Sequence, residues 1–170
     1  MNPINALSGL AISQSARTAR TALADADLLA WSRTLHLPEG PTAVMDCLRR
    51  LGCLVDWWPG AWAIRPLAGG LCQPGDAGLL ETATEDLLLR VLAFRPRRLI
   101  LALAGRKTLT MVDLALREAD TGCELTFRLE RPAPGWPVAD QWAARRLSAF
   151  GKRAAARLEW HLRQRPAELQ

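Results

Sequence analysis

Apolar and polar side chains alternate along the first patterned segment of the chain, residues 28–37. The apolar positions on one face are Leu29, Trp31, Leu35 and Leu37. A period of two predicts a β-strand with one buried face. Arg33 falls on that same face, where a buried cation would need an anionic partner such as a ligand carboxylate. The alternative is an edge strand, from which the long side chain reaches outward to a nearby acid.

Two short helical segments follow the proline-containing stop at residues 38–41. Apolar residues recur at helical spacing over residues 42–51, and Gly52 ends the pattern. A second short helix is predicted over residues 53–58, just before Pro59. The first strand is therefore expected to be followed by a helix–break–helix insert.

Short strands then follow one another as far as Arg131, separated by turns that contain glycine, proline or aspartate. The predicted strands are residues 62–67, 78–84, 87–94, 98–104, 108–117 and 123–130. Short strands joined by tight turns favour an antiparallel meander. In the strand around Asp113, both faces carry apolar and polar residues, so the periodicity does not indicate which face is buried.

A long helix is predicted for residues 138–163, which contain no proline and are rich in alanine, leucine and arginine. Its apolar side carries Trp142, Leu147, Phe150, Ala154 and Leu158. A helix of about 26 residues is about 39 Å long and can cover one face of an antiparallel sheet. The space between helix and sheet would be an apolar pocket unless bulky side chains fill it.

Several sequence segments, taken in order, resemble the SRPBCC superfamily, which has the START-like or helix-grip fold. The segments are WSRTLHLP, EGPTAVMDCLRRLGCLVDWWPG, RVLAFRPRRLILAL and ADTGCELTFRLE, followed by the terminal helix. The resemblance implies an α+β helix-grip fold, in which a curved antiparallel sheet of six to seven strands wraps around a long C-terminal helix. It covers residues 27–165 as one domain, with an N-terminal extension of residues 1–26 and a tail of residues 166–170.

The resemblance implies binding or transport of a hydrophobic small molecule or lipid between the sheet and the C-terminal helix. Two alternatives known in the superfamily stay open: a polyketide cyclase or aromatase-like enzyme, and a co-chaperone or ribosome-type interaction protein. An enzyme would need a polar group deep in the pocket, which only Arg33, Asp113 or His161 could supply.

The candidate ligand-binding residues are mainly aromatic side chains placed by the pattern on the sheet, the helix pair or the long helix. They are Trp31, Arg33, Trp57, Trp58, Trp62, Asp113, Phe127, Trp142 and Phe150. Trp57 and Trp58 would close one end of the pocket or simply pack in the core. No catalytic residue is assigned, because His36 is expected to be exposed and His161 suits the C-terminus of a helix without any catalytic role.

Composition narrows the possible chemistry. The chain has 170 residues, 49% of them hydrophobic and 23% charged, as expected for one globular domain. It contains seven tryptophans and no tyrosine, which excludes any mechanism that uses a phenol. It has no nucleophile elbow, phosphate-binding glycine loop, HExxH motif or dinucleotide fingerprint, so no cofactor is expected.

Charge and cysteine content suggest partners and compartment. The net charge is +5, and residues 138–170 carry seven basic and three acidic side chains. This helix either contacts anionic surfaces weakly or has a solvated outer face, and no DNA binding is expected.

The four cysteines form no CxxC pair, so we expect no metal site and reduced thiols in the cytoplasm. No apolar stretch is long enough to span a membrane.

Overall fold

The computed structural model describes residues 27–68, 73–106 and 108–164. The predicted N-terminal extension, the predicted C-terminal tail and Cys72 lie outside the described residues.

Seven antiparallel strands form one sheet. Their bounds are β1 Leu28–Leu37, β2 Ala61–Ala68, β3 Ala77–Thr82, β4 Leu87–Arg95, β5 Arg98–Ala104, β6 Leu109–Glu118 and β7 Cys123–Pro132. The strand order is β1-β7-β6-β5-β4-β3-β2. The predicted meander is confirmed for β2 to β7, in which each strand pairs with the next. β1 joins the sheet beside β7 and therefore forms one of its two edges.

Three helices complete the described structure: α1 Pro41–Leu48, α2 Cys53–Trp57 and α3 Pro137–Gln164. The first residue of α1 is Pro41. Proline has no backbone N–H, and an N–H at this position would have no partner within the helix, so proline suits a helix start. α1 ends three residues before the predicted boundary at Leu51, which is nevertheless buried in the turn between the two short helices. The expected insert of two short helices between β1 and β2 is confirmed.

The core lies between one face of the sheet and the three helices. On the inner face, Leu125, Phe127 and Leu129 of β7 are fully buried. The helix α3 supplies Leu147, Ala154, Ala155, Leu158 and Leu162 to the same core. In β6 the even-numbered positions face inward, so Asp113 points to the opposite face.

α3 packs chiefly on the edge strand β1, and a glycine lies at this contact. Gly151 of α3 lies directly against the indole ring of Trp31. A side chain of any size at this position would overlap three atoms of that ring. The missing Cβ of Gly151 therefore allows the sheet edge and the helix to close on each other.

Candidate functional site

Five aromatic rings form a continuous chain through the interior, from the edge strand to the long helix. Trp31 contacts Phe127 with ring centroids 5.8 Å apart, and Phe127 contacts Trp57 at 5.7 Å. Trp57 contacts Trp58 at 6.0 Å, and Trp58 contacts Phe150 at 4.9 Å. All four pairs have the edge-to-face arrangement that aromatic rings favour. Aromatic side chains that contact one another thus occupy the region between sheet and helix where the sequence predicts the ligand-binding residues.

The end of α2 directs two adjacent rings into this interior. Trp57 is the last residue of the helix, whereas Trp58 is extended, with φ −75° and ψ 119°. The Trp58 backbone N–H donates to the Leu54 carbonyl at 2.7 Å, which holds the corner in place. Because the backbone changes direction between the two residues, both rings are buried, each 2% exposed.

Arg131 of β7 lies at the α3 end of the aromatic chain. Its Cζ atom is 5.2 Å from the centroid of the Phe150 ring. Its Nε donates to the Oγ1 of Thr110 at 2.8 Å, and Thr110 is itself buried. Among the described residues, no carboxylate oxygen lies within 4.0 Å of the Arg131 guanidinium.

Burial lowers the pKa of Arg131 from its ordinary value, and repulsion from Arg146 lowers it further. The carboxylate of Glu85 partly offsets this effect. Arg131 is therefore a partly desolvated cation beside an apolar interior, an arrangement that favours an incoming anion.

Sequence reasoning missed Arg131, although the sequence contains its signal. The alternation of Leu125, Phe127 and Leu129 continues to residue 131 on the same face of β7. The sequence prediction ended this strand at Glu130, one residue too early to place Arg131 on the inner face.

The structure places Arg33 on the inner face of an edge strand, opposite Phe127 in the β1–β7 pairing. Its Nη2 is 3.7 Å from an Oε2 of Glu159 in α3, and its side chain is about half exposed. Arg33 thus lies on the face of β1 that the sequence predicts, and Glu159 of α3 is its acidic partner.

The structure places Asp113 on the outer face of the sheet. Both its carboxylate oxygens accept hydrogen bonds from Arg98, at 3.0 and 2.7 Å. These hydrogen bonds, together with the attraction between the two charges, raise the pKa of Arg98. Asp113 is thus separated from the aromatic chain by the sheet itself.

Two further candidate residues lie at the surface. Trp62 is 64% exposed and Trp142 is 62% exposed. The guanidinium of Arg146 lies 4.8 Å from the Trp142 ring centroid, so this indole contacts a cation instead of the other rings. The structure therefore brings together Trp31, Trp57, Trp58, Phe127 and Phe150, and it separates Trp62, Asp113 and Trp142 from them.

The two histidines have different surroundings. His36 is exposed, as expected, and its Nδ1 is 3.6 Å from Glu124. His161 is 5% exposed, and its Nε2 lies 3.6 Å from the Sγ of Cys47. Sequence spacing gave no indication of this contact, because it joins residues 114 positions apart.

The architecture defines an α+β protein in which a seven-stranded antiparallel sheet holds one long helix over an aromatic interior. This is the helix-grip fold that the resemblance in the sequence implied. No helix in the described parts of the chain is long and apolar enough to cross a lipid bilayer.

Solved structures show the same fold at low sequence identity. The di-domain ARO/CYC StfQ from the steffimycin biosynthetic pathway is 11% identical, with a TM-score of 0.63 over 82% of this chain and 52% of that one. Ara h 8.0201 is 13% identical, with a TM-score of 0.59 over 81% and 99%. SA2116 of Staphylococcus aureus is 7% identical, with a TM-score of 0.64 over 85% and 99%. No protein-family model and no curated protein matches the sequence.

Proposed function

We propose that the protein binds a hydrophobic small molecule or lipid between the sheet and α3, and that this ligand carries an acidic group. The observation that carries the proposal is Arg131, a partly buried cation at one end of a chain of aromatic rings. In this proposal the acidic group pairs with Arg131, and the apolar part lies against Phe150, Trp58 and the rings behind them.

The energetics of Arg131 support an anionic ligand. Its Nε is satisfied by a neutral hydroxyl, so the other guanidinium nitrogens can donate to a carboxylate. A hydrogen bond to a charged group contributes about 1.5–3 kcal/mol, which corresponds to roughly a tenfold to hundredfold gain in affinity. Burial of apolar surface against the rings would supply the remaining affinity.

Phe150 is the natural point of entry. It is only partly buried, whereas Trp58 beneath it is 2% exposed. A rotation of the Phe150 side chain would therefore uncover Trp58 beside the Arg131 guanidinium. Among the residues predicted from the sequence, the proposal uses Trp57, Trp58, Phe127 and Phe150 as the lining.

Binding is favoured over catalysis by the position of the polar side chains. Asp113 faces away from the aromatic chain, and His161 contacts a cysteine instead of the rings. StfQ, an ARO/CYC, and DynU16, from the dynemicin biosynthetic locus, have similar structures and are consistent with a small-molecule ligand. The proposal assigns this chain no cyclase step.

The test compares a fluorescent long-chain fatty acid with the matching long-chain alcohol. Wild-type protein should bind the acid about tenfold or more tightly than the alcohol, as measured by fluorescence titration. Arg131→Met should bring the affinity for the acid down to that for the alcohol, because the neutral side chain keeps the apolar contact but has no charge.

Arg33→Met is the matched control, because Arg33 lies on the same sheet face but has Glu159 as its partner. This variant should keep the preference for the acid. Equal affinities for acid and alcohol in the wild type would contradict the role of Arg131. Failure of both probes to bind would contradict the ligand-binding function as a whole.

A further inference from the structure

A buried cluster of two thiols and one imidazole connects the helix pair to the end of α3. Cys47 lies in α1, Cys53 begins α2, and His161 lies near the C-terminus of α3. All three side chains are buried, and their potential ligand atoms lie within 4.8 Å of one another. We propose that these residues bind one Zn²⁺ ion, which ties the helix pair to the terminal helix.

Two of the distances between the donor atoms agree with the edges of a tetrahedral zinc site, and all three atoms lie within 4.8 Å of one another. Zinc is bound at about 2.3 Å by cysteine sulfur and at about 2.0–2.1 Å by histidine nitrogen. Tetrahedral angles then place two sulfurs about 3.8 Å apart, and a sulfur and a nitrogen about 3.6 Å apart. The Sγ atoms of Cys47 and Cys53 are 3.9 Å apart. The Sγ of Cys47 is 3.6 Å from the Nε2 of His161.

A carboxylate meets the other ring nitrogen of His161. The Nδ1 atom is 3.4 Å from the Oδ2 of Asp56, whereas Nε2 is directed at the Cys47 sulfur. Metal-ligating histidines almost always donate their second N–H to a carboxylate, a carbonyl or water. Asp56 is therefore a positioning residue, which fixes the orientation of the imidazole without contacting the metal.

The chemistry of the donors selects the type of metal. Thiolates and imidazole suit zinc, whereas magnesium and calcium prefer oxygen ligands. On binding, the two thiols release their protons to solvent, and the ion forms two bonds to sulfur and one to nitrogen. The three protein ligands leave a fourth position for water.

Without a metal, the two cysteines contact each other through a hydrogen bond and are not joined by a disulfide. The Cys53 thiol donates to the Cys47 carbonyl oxygen at 3.1 Å. The two sulfurs are nearly twice as far apart as the roughly 2.05 Å of a disulfide bond. That thiol–carbonyl contact involves only Cys53 and the Cys47 backbone, whereas the approach of the His161 imidazole to the Cys47 sulfur brings together the three donors that a metal requires.

The test is a titration of chelator-treated, reduced protein with Co²⁺, a spectroscopic substitute for zinc. Wild-type protein should develop a thiolate-to-cobalt charge-transfer band that saturates at one equivalent and disappears when Zn²⁺ is added. Zinc should also raise the melting temperature, because it binds the folded state.

Cys47→Ser and Cys53→Ser should each weaken the band and abolish the rise in melting temperature. Cys123→Ser is the matched control, since Cys123 is another buried cysteine outside the cluster, and it should behave as wild type. Asp56→Asn retains all three ligands and should bind one equivalent with an affinity reduced about 10- to 100-fold. Because Asp56→Asn keeps both cysteines and the histidine, its reduced affinity for the metal still tests the proposal if the cysteine variants do not fold.

Three results would overturn the proposal: no thiolate–cobalt band in the wild type, an undiminished band in both cysteine variants, or a Cys47–Cys53 disulfide in protein purified under reducing conditions. The zinc proposal does not depend on the proposed ligand function, because its readouts involve neither Arg131 nor the aromatic chain.

Discussion

Substitution of Gly151 by alanine should destabilise this protein, although the same change stabilises most helices. Alanine is favoured over glycine in a helix interior by about 1 kcal/mol. Gly151, however, lies in the middle of α3 against the indole of Trp31. An added Cβ would lie closer than 3.0 Å to three atoms of that ring. Trp31 or the helix must therefore move.

The expected size of the effect follows from what is lost. Overpacking of this kind costs about 1–3 kcal/mol, and displacement of Trp31 sacrifices an edge-to-face contact with Phe127 worth about 0.5–1.5 kcal/mol. After subtraction of the gain in helix propensity, about 1 kcal/mol, Gly151→Ala should lower the free energy of unfolding by about 0.5–3.5 kcal/mol. In a Trp31→Ala background the clash is absent, so the same change should stabilise the protein by about 0.5–1 kcal/mol.

The assay is urea denaturation of the four proteins of this double-mutant cycle, with Ala156→Gly as a reference. Ala156 is exposed on the same helix and should report the helix-propensity difference alone, about 1 kcal/mol. The cycle should give a coupling energy of about 1–4.5 kcal/mol between positions 31 and 151. A Gly151→Ala protein that is more stable than wild type would refute the close packing of sheet edge and helix.

Three further predictions concern the core, the outer face and a buried thiol. Phe127→Ala should lower the free energy of unfolding by about 3–5 kcal/mol in urea denaturation, because the fully buried ring leaves a cavity; a loss below about 1 kcal/mol would contradict its place in the core. Asp113→Asn should lower the free energy of unfolding by less than about 1 kcal/mol and leave fatty-acid binding unchanged, since the Asp113–Arg98 pair is on the outer face. Loss of fatty-acid binding in this variant would place Asp113 in the site. Burial, and to a lesser extent Glu39, raises the pKa of Cys123, so its contribution to stability is complete below the ordinary thiol pKa of about 8.5 and is lost as the pH rises through the raised value. Cys123→Ala should therefore reduce the alkaline fall in melting temperature, and an unchanged pH profile would show that another group causes it.

Local patterns were sufficient to predict most of the fold. The observed bounds of β1 and β5 coincide with the predicted residues 28–37 and 98–104. Alternation defines β1 and Pro38 ends it, whereas Pro96 and Gly105 lie just outside the two ends of β5. The long helix begins and ends within one residue of its predicted bounds for a similar reason: Pro137 suits a helix start and its interior contains no proline. Such signals lie within the segment itself, so no tertiary information is needed.

The candidate site depends on contacts that the sequence pattern does not contain. The inner face of β6 cannot be assigned from the sequence, because both faces carry apolar and polar residues. In the folded sheet, the burial of the even-numbered positions and the pairing of Asp113 with Arg98 identify the outer face. The partner of Arg33 comes from α3, more than a hundred residues away. The convergence of Cys47 with His161 likewise requires the docking of α3 onto the helix pair, which spacing rules for metal motifs do not describe.

The most direct test of the proposed function is native mass spectrometry of the protein, before and after incubation with long-chain fatty acids. We expect one bound small molecule per chain, with a mass increment distinct from that of a metal ion, and a lower bound fraction in Arg131→Met. A spectrum that contains only the unliganded polypeptide under both conditions would contradict the proposal that this helix-grip interior holds an acidic hydrophobic ligand.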